Sequence, residues 1–206
     1  MVCFPPINKN YNVVSFSGIF DSYAEQRYFF TQSEAGKGIW DDLTAKSDTV
    51  MLMYNPVGPV MTFSTKEING IETMAGLKAR ALIGAERPMW EALGANTVSM
   101  PTREVYSALQ TGLIDTINTP PGSLRAYSWW EFINYGQKPY QYFADAYIMA
   151  NASWFNSLPE DLQTILMDVG AEIGEISTSK ILETGEETLA QFKERGGIVN
   201  TLTDAK

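Results

Sequence analysis

Residues 76–121 read GLKARALIGAERPMWEALGANTVSMPTREVYSALQTGLIDTINTPP, and this stretch decides the fold class. Residues 77–83 are a short, mostly apolar run carrying two charges, Lys78 and Arg80, and read as a strand. Pro88 suits the first turn of a helix, where a missing N–H does no harm, and Gly94 fits its C-terminal cap. Trp90 and Leu93 lie on one face of that helix. Residues 97–100 form the next strand. Thr102 is a candidate N-cap for a second helix with Val105, Tyr106 and Leu109 on one face, and Gly112 ends it. Residues 113–118 return as a third strand. Strand, helix, strand, helix, strand is the pattern of an α/β domain with parallel strands. Ligands of such sheets sit outside the carboxyl ends of the strands. The Asn118–Thr119 pair lies at such an end, and so does Arg80 if its strand is short.

Outward from this block, Pro5, Pro6 and three asparagines make residues 1–12 an irregular lead-in, and residues 13–20 are a strand or a packed loop. Asp21 or Ser22 caps a helix through Phe30. A second helix covers 34–45, broken early by Gly36 and Gly38. Residues 50–54 and 60–64 read as two strands separated by an Asn55–Pro56 turn. A helix is expected over 123–131, then strands over 132–135 and 142–150. In the last of these, Ala144 and Ala146 alternate with larger residues at the two-residue period of a strand. Pro159, Glu160 and Asp161 form a strong helix start. Apolar residues then recur at helical spacing from Leu162 to Phe192, with Gly170 and Gly174 as bends and Gly185 as a break. Residues 198–202 are a final strand.

Composition bounds the function. The 206 residues include 24 acids and 15 bases, a net charge of −9, which argues against nucleic acid or anionic membrane as a bulk electrostatic partner. There is no histidine, and Cys3 is the single cysteine, so a Cys-cluster metal site and an internal disulfide are excluded. No Ser–His or Cys–His pair, HExxH or phosphate-cradling glycine loop occurs. No cofactor or metal is expected. The acid pairs Asp41–Asp42 and Glu186–Glu187 lie on expected helix surfaces, where solvation is their ordinary fate.

GLKAR, EALGAN and SMPTREVYSALQTGLID, followed by WFNSLPEDLQ over 154–163, together resemble the solute-binding proteins of tripartite ATP-independent periplasmic (TRAP) transporters, the family of the C4-dicarboxylate receptor. The resemblance runs over about residues 14–203. It implies an α/β, two-lobed periplasmic-binding-protein-like fold braced by a long helix. The divisions would be 1–76 for the rest of a first lobe, 77–150 for a second lobe, and 151–206 for the helix and a strand returning to the first lobe. It implies no enzyme activity, a small organic carboxylate as ligand, TRAP permease membrane subunits as partners, and a periplasmic location. MVCFPPINKN carries no secretory signal, whereas family members are exported and carry roughly another hundred residues ahead of the resembling region. The chain therefore reads as an N-terminally truncated member with an incomplete first lobe.

Arg80 is the leading site candidate, because a guanidinium matches a carboxylate with two parallel hydrogen bonds. A structural salt bridge is the plainer reading, and the resemblance, in which this arginine grips the ligand, favours the site. Asn118 and Thr119 could hydrogen-bond the ligand. The resemblance puts Thr119 where relatives have a ligand-contacting asparagine, Thr102 where sugar-acid binders have a pocket aromatic, and Ala146 where some relatives have a polar contact. Tyr54 and Asn55 are weaker candidates. The family's Gly-x-Arg on an earlier strand is Gly58–Pro59–Val60 here, so a second cation is absent there and a doubly clamped diacid is disfavoured. Three classes stay open: a carboxylate receptor, a fragment that binds nothing alone, and a hydrolase using two acids.

Overall fold

The computed structural model describes residues 6–82 and 86–202, without the side chains of Val14 and Ser15. Six strands form one mixed sheet: β1 (Thr49–Ser64), β2 (Lys78–Arg80), β3 (Asn96–Val98), β4 (Thr116–Thr119), β5 (Tyr135–Asn151) and β6 (Ile198–Thr201), in the order β3-β2-β4-β1-β5-β6. β2 runs parallel to β3 and β4, and the chain crosses between them through the helices α3 (Glu86–Ala92) and α4 (Val105–Gln110). β1 is antiparallel to β4 along Met61–Ser64 and to β5 along its whole length. The short parallel strands thus sit at one end of a long two-stranded ribbon.

The other end of the ribbon carries α1 (Tyr23–Gln32) and α2 (Glu34–Ser47). Ser22 and Ser33 start them, each accepting from a backbone N–H three residues on. The remaining helices are α5 (Pro121–Ala126), α6 (Ala152–Asn156) and α7 (Glu160–Glu194). Acids at the start of α7 meet the positive end of its dipole, and its 35 residues extend about 52 Å at 1.5 Å per residue. Gly170 and Gly174 bring α7 against β1, since a Cβ at these positions would lie 1.9 Å from the Leu52 carbonyl oxygen and 2.9 Å from that of Tyr54. At the far end Gly196 takes a left-handed φ of 92°, which reverses the chain into β6.

Four apolar clusters hold the described elements, the smallest being Val60, Tyr142 and Ala144 across β1 and β5. Met61, Phe63, Ile117, Trp129, Leu189 and Phe192 join β1, β4, α7 and the turn after α5. Ile68, Leu77, Ala79 and Trp90 pack α3 on β2. Tyr11, Phe30 and Leu43 pack α1 and α2 on the ribbon, against Trp40, Tyr147 and Met149. Not all of α7 is covered: Leu162, Ile165, Val169, Ile173 and Ile176 form an exposed stripe on one side of it.

Several local expectations are corrected. The two strands expected over 50–64 are one, because register shifts accommodate Pro56 and Pro59, which lack N–H donors, without ending the ladder. The strand of 142–150 likewise extends back to Tyr135, preceded by a 3-10 turn at Trp129–Glu131 rather than a strand from 132. Residues 9–15 form a 3-10 turn. α2 is unbroken, and Gly36 serves a close approach, since a Cβ there would meet the Phe29 carbonyl oxygen at 2.1 Å. Gly185 does not break α7. The strand of 77–83 is Lys78–Arg80, with Ile83 outside the described residues. The last strand is Ile198–Thr201, paired in parallel with Tyr135–Lys138 of β5. α7 carries the chain along the ribbon to that end, where the Gly196–Gly197 turn leads into β6.

Candidate functional site

The parallel strands are pinned before they reach the site. Asp115, at the start of β4, accepts from the Lys78 backbone N–H at 2.9 Å and from Lys66 Nζ at 3.1 Å, while its carbonyl accepts from Thr65 N–H at 2.9 Å. β2 is therefore locked to β4 and to the end of β1. The strand is short, so Arg80 falls at its carboxyl end, and the following Ala81 N–H still bonds to the Val98 carbonyl at 3.0 Å.

Arg80 is only 3% exposed. Its Nε donates to the Met100 carbonyl at 3.3 Å and its Nη2 to Thr102 Oγ1 at 3.0 Å. No carboxylate forms an ion pair with it within 4.0 Å among the described residues. Burial depresses the guanidinium below its ordinary pKa, opposed first by the Glu86 carboxylate and then by Tyr142 and Tyr127. A buried cation lacking a close counter-ion is costly unless something else supplies the charge.

Glu86, the first residue of α3, is also 3% exposed. Its Oε1 accepts from the Tyr142 hydroxyl at 3.0 Å and its Oε2 from the Leu82 N–H at 2.7 Å. Burial and the Glu86 carboxylate both push the Tyr142 phenol well above its ordinary pKa, which keeps it a donor. A cavity of about 360 Å³ lies here, lined by Phe16, Ser17, Glu86, Met89, Gln141 and Tyr142 among others. Behind it, Gln141 Nε2 donates to Thr62 Oγ1, which donates to Asn118 Oδ1 at 2.9 Å. Gln141 Oε1 and Asn118 Nδ2 are buried at the two ends of this hydrogen-bonded series without partners among the described residues.

Of the residues singled out in the sequence, Arg80 and Thr102 touch. Thr102 does not cap α4: it opens a 3-10 turn ahead of that helix, and its hydroxyl accepts from Arg80. Asn118 and Thr119 end β4, buried, opposite Thr62 and Met61. Ala146 pairs with Asn55 on the ribbon, four residues beyond Tyr142 and so about 13 Å further along the strand. Tyr54 and Asn55 are likewise on the ribbon, bonded to Gln26 and Ser177. Glu86, Tyr142, Thr62 and Gln141 were missed. Glu86 stands two residues before a helix-starting proline, where surface exposure is the ordinary expectation, and no local pattern marks it as buried.

A second polar centre lies toward the α1–α2 end. Asp145 is 1% exposed and accepts from the hydroxyls of Tyr11 at 3.1 Å and Tyr147 at 2.5 Å, and from Gln26 Nε2 at 3.2 Å. Burial raises its carboxyl from 3.8 to about 6, against the lowering effect of the tyrosine hydrogen bonds. The one sequence signal for it was an acid between aromatics in YFADAY.

With this geometry in hand, the chain can be set beside known proteins. The family model described as "Bacterial extracellular solute-binding protein, family 7" (DctP) matches residues 2–206. The C4-dicarboxylate-binding periplasmic protein DctP of Rhodobacter capsulatus is 28% identical over 198 residues, which are 94% of this chain and 58% of that protein. The sialic acid-binding periplasmic protein SiaP of Vibrio cholerae is 25% identical over 168 residues, 80% of this chain and 52% of that one. The chain thus spans little more than half the length of these relatives. A TRAP periplasmic solute-binding protein from Pseudomonas putida F1, solved with bound D-glucuronate, superposes with a TM-score of 0.86 at 22% identity, over 98% of this chain and 66% of that one. The Bordetella pertussis receptor DctP7, which binds pyroglutamic acid, also gives 0.86, at 19% identity over 98% and 66%. At these identities the structural likeness establishes the α/β fold of TRAP binding proteins, whose length this chain covers in part.

Proposed function

Because the chain belongs to family 7 of the bacterial extracellular solute-binding proteins, we propose that it is a periplasmic solute receptor, or the greater part of one, that binds a small organic carboxylate and delivers it to a TRAP-type permease. The single observation that carries the reading is Arg80: a buried guanidinium at the carboxyl end of a parallel strand, with no ion-pair partner among the described residues. Thr102 and the Met100 carbonyl aim it and leave Nη1 without a protein partner among those residues. A ligand carboxylate would satisfy the charge and the remaining donors together. Asn118 and Thr119 lie at the end of the neighbouring strand, and Ala146 is assigned to the distal wall. In this reading 1–76 belong to one lobe, 77–150 to the other, and α7 links them. The named relatives are binding proteins, and bound D-glucuronate and pyroglutamic acid in the similar structures are both carboxylates. The ligand favours the closed arrangement through its higher affinity for it, with no bond made or broken.

Thermal unfolding across a panel of small carboxylates tests this. A ligand at 100 times its Kd adds about 2.7 kcal/mol to stability, and Arg80→Met is expected to remove the effect. Stabilisation that survives the substitution overturns the role of Arg80. A second reading is favoured by the exposed stripe on α7: the chain binds nothing until another polypeptide covers that surface. A folded chain with no carboxylate response supports it.

A further inference from the structure

Resting on the receptor reading, we propose that the ligand is a zwitterion of the amino-acid class, its carboxylate on Arg80 and its ammonium group against Glu86 and Gln141. Three observations carry this, none of them the arginine alone.

The first is the placement of Glu86. Its Oε2 is held on the backbone N–H of Leu82, two residues beyond Arg80 in the same chain, at 2.7 Å. Two residues of extended chain span about 7 Å, so cation and carboxylate belong to one site. Each carboxylate oxygen accepts a hydrogen bond, one from Leu82 and one from Tyr142, as suits the ionised form. Arg80 and Glu86 make the centre formally neutral.

The second is the cavity beyond Glu86. Its walls include Glu86, Gln141 and Tyr142, with Phe16, Pro88 and Met89 as apolar surface, and no Lys or Arg among the described lining residues. Gln141 uses its Nε2 on Thr62, which leaves Oε1 buried with no partner among the described residues. Glu86 and Gln141 both line this cavity, and a carboxylate beside an amide whose oxygen lacks a partner among the described residues selects a hydrogen-bond donor, best a cationic one.

The third is what this arrangement rejects. A dicarboxylate gripped by Arg80 would bring its second anion toward Glu86 and Gln141 Oε1, two acceptors in a poorly solvated place. Like charges there are repulsive, and among the described residues β1 brings no second cation at that level, where it has Gly58–Pro59–Val60 opposite Tyr142 and Phe143. A simple monocarboxylate escapes the repulsion but leaves the amide oxygen unpaired. An amino acid satisfies both ends.

The test is calorimetric titration of the purified full chain with matched probes: L-phenylalanine against 3-phenylpropanoate, L-leucine against 4-methylpentanoate, and β-alanine against propanoate and succinate. At least one amino acid is expected to bind about tenfold or more tightly than its partner lacking the amino group, and more tightly than succinate. Glu86→Gln should bring that ratio within about threefold, while Arg80→Met weakens both members of the pair. Equal or tighter binding of the desamino acid or succinate by the parent chain overturns the zwitterion and leaves the receptor intact, provided Arg80→Met still abolishes binding. Binding indifferent to Arg80→Met overturns the role of Arg80 and this inference with it, and no binding of any probe by a folded chain overturns this inference and supports the reading in which the chain binds nothing alone. If circular dichroism finds Glu86→Gln unfolded, the ranking of probes by the parent chain decides.

Discussion

The two ends of α7 differ in what they meet. Toward its C-terminus, Leu189 and Phe192 are buried on the face formed by Met61, Phe63 and Ile117, and Phe192 is 2% exposed. Toward its N-terminus, Leu162, Ile165, Val169, Ile173 and Ile176 recur at the same helical spacing and are 43–56% exposed. There the contact with β1 is made by Gly170 and Gly174, on a different side of the helix. The ribbon differs in the same way. Its end beside β4 and β6 rests on an apolar cluster, whereas its α1–α2 end encloses Asp145 with Tyr11, Tyr147 and Gln26. An apolar face is thus a capacity for packing, and its contribution to stability depends on whether another element covers it.

This contrast can be broken most forcefully at the covered end. Phe192→Ala removes a large side chain from the cluster under β1 and should cost about 3–5 kcal/mol in denaturant unfolding; a loss under about 1 kcal/mol would mean that the C-terminal end of α7 does not hold the sheet.

The polar end gives the next effect. The folded-state pKa of Asp145 lies above its ordinary value, at about 6 against 3.8, so the native state binds the extra proton between these values. Stability from this group is fully present below about 4 and falls as pH rises through about 6, by something on the order of 3 kcal/mol. Asp145→Asn should flatten the decline in Tm over that window. An identical pH profile in the variant would remove Asp145 as its source. Sedimentation at each pH would separate this from a change in association.

The smallest effect belongs to the exposed stripe. Ile165→Ser and Ile173→Ser should each change unfolding stability by less than about 0.5 kcal/mol, as surface substitutions do. A cost above about 1.5 kcal/mol would reveal that the stripe is covered in solution. Sedimentation across a concentration series would then distinguish a second copy of the chain from internal rearrangement.

Much of the parallel-strand unit was legible because its signals are local. Pro88, Gly94 and Gly112 punctuate residues 76–121 at short range, and the apolar runs between them alternate in period. The Asn55–Pro56 turn signal misled for an equally physical reason. A proline ends a strand when its missing N–H breaks the ladder, and here β5 tolerates it through shifts in register. Pro56 faces Asp145, 89 positions away (145 − 56), and no window around Pro56 contains it. Arg80 was legible as a cation on a short strand, yet its burial and its hydrogen bond to Thr102 rest on how α4 is seated. Glu86 was illegible, because its partner Tyr142 is 56 residues away.

Residue order alone sets the α/β class of residues 76–121, the long helix from Pro159 onward, the cation Arg80 near a strand end and the absence of histidine. These follow from side-chain period, backbone limits of proline and glycine, and residue identity, all of which act within a few positions of the chain. Folding in three dimensions makes β1 and β5 continuous, pairs β6 with the start of β5, encloses Asp145 with tyrosines and brings Glu86 and Tyr142 beside Arg80. Pairing, burial and electrostatic neighbourhood depend on segments that meet only when the chain folds, and local propensity carries no record of which segments those are.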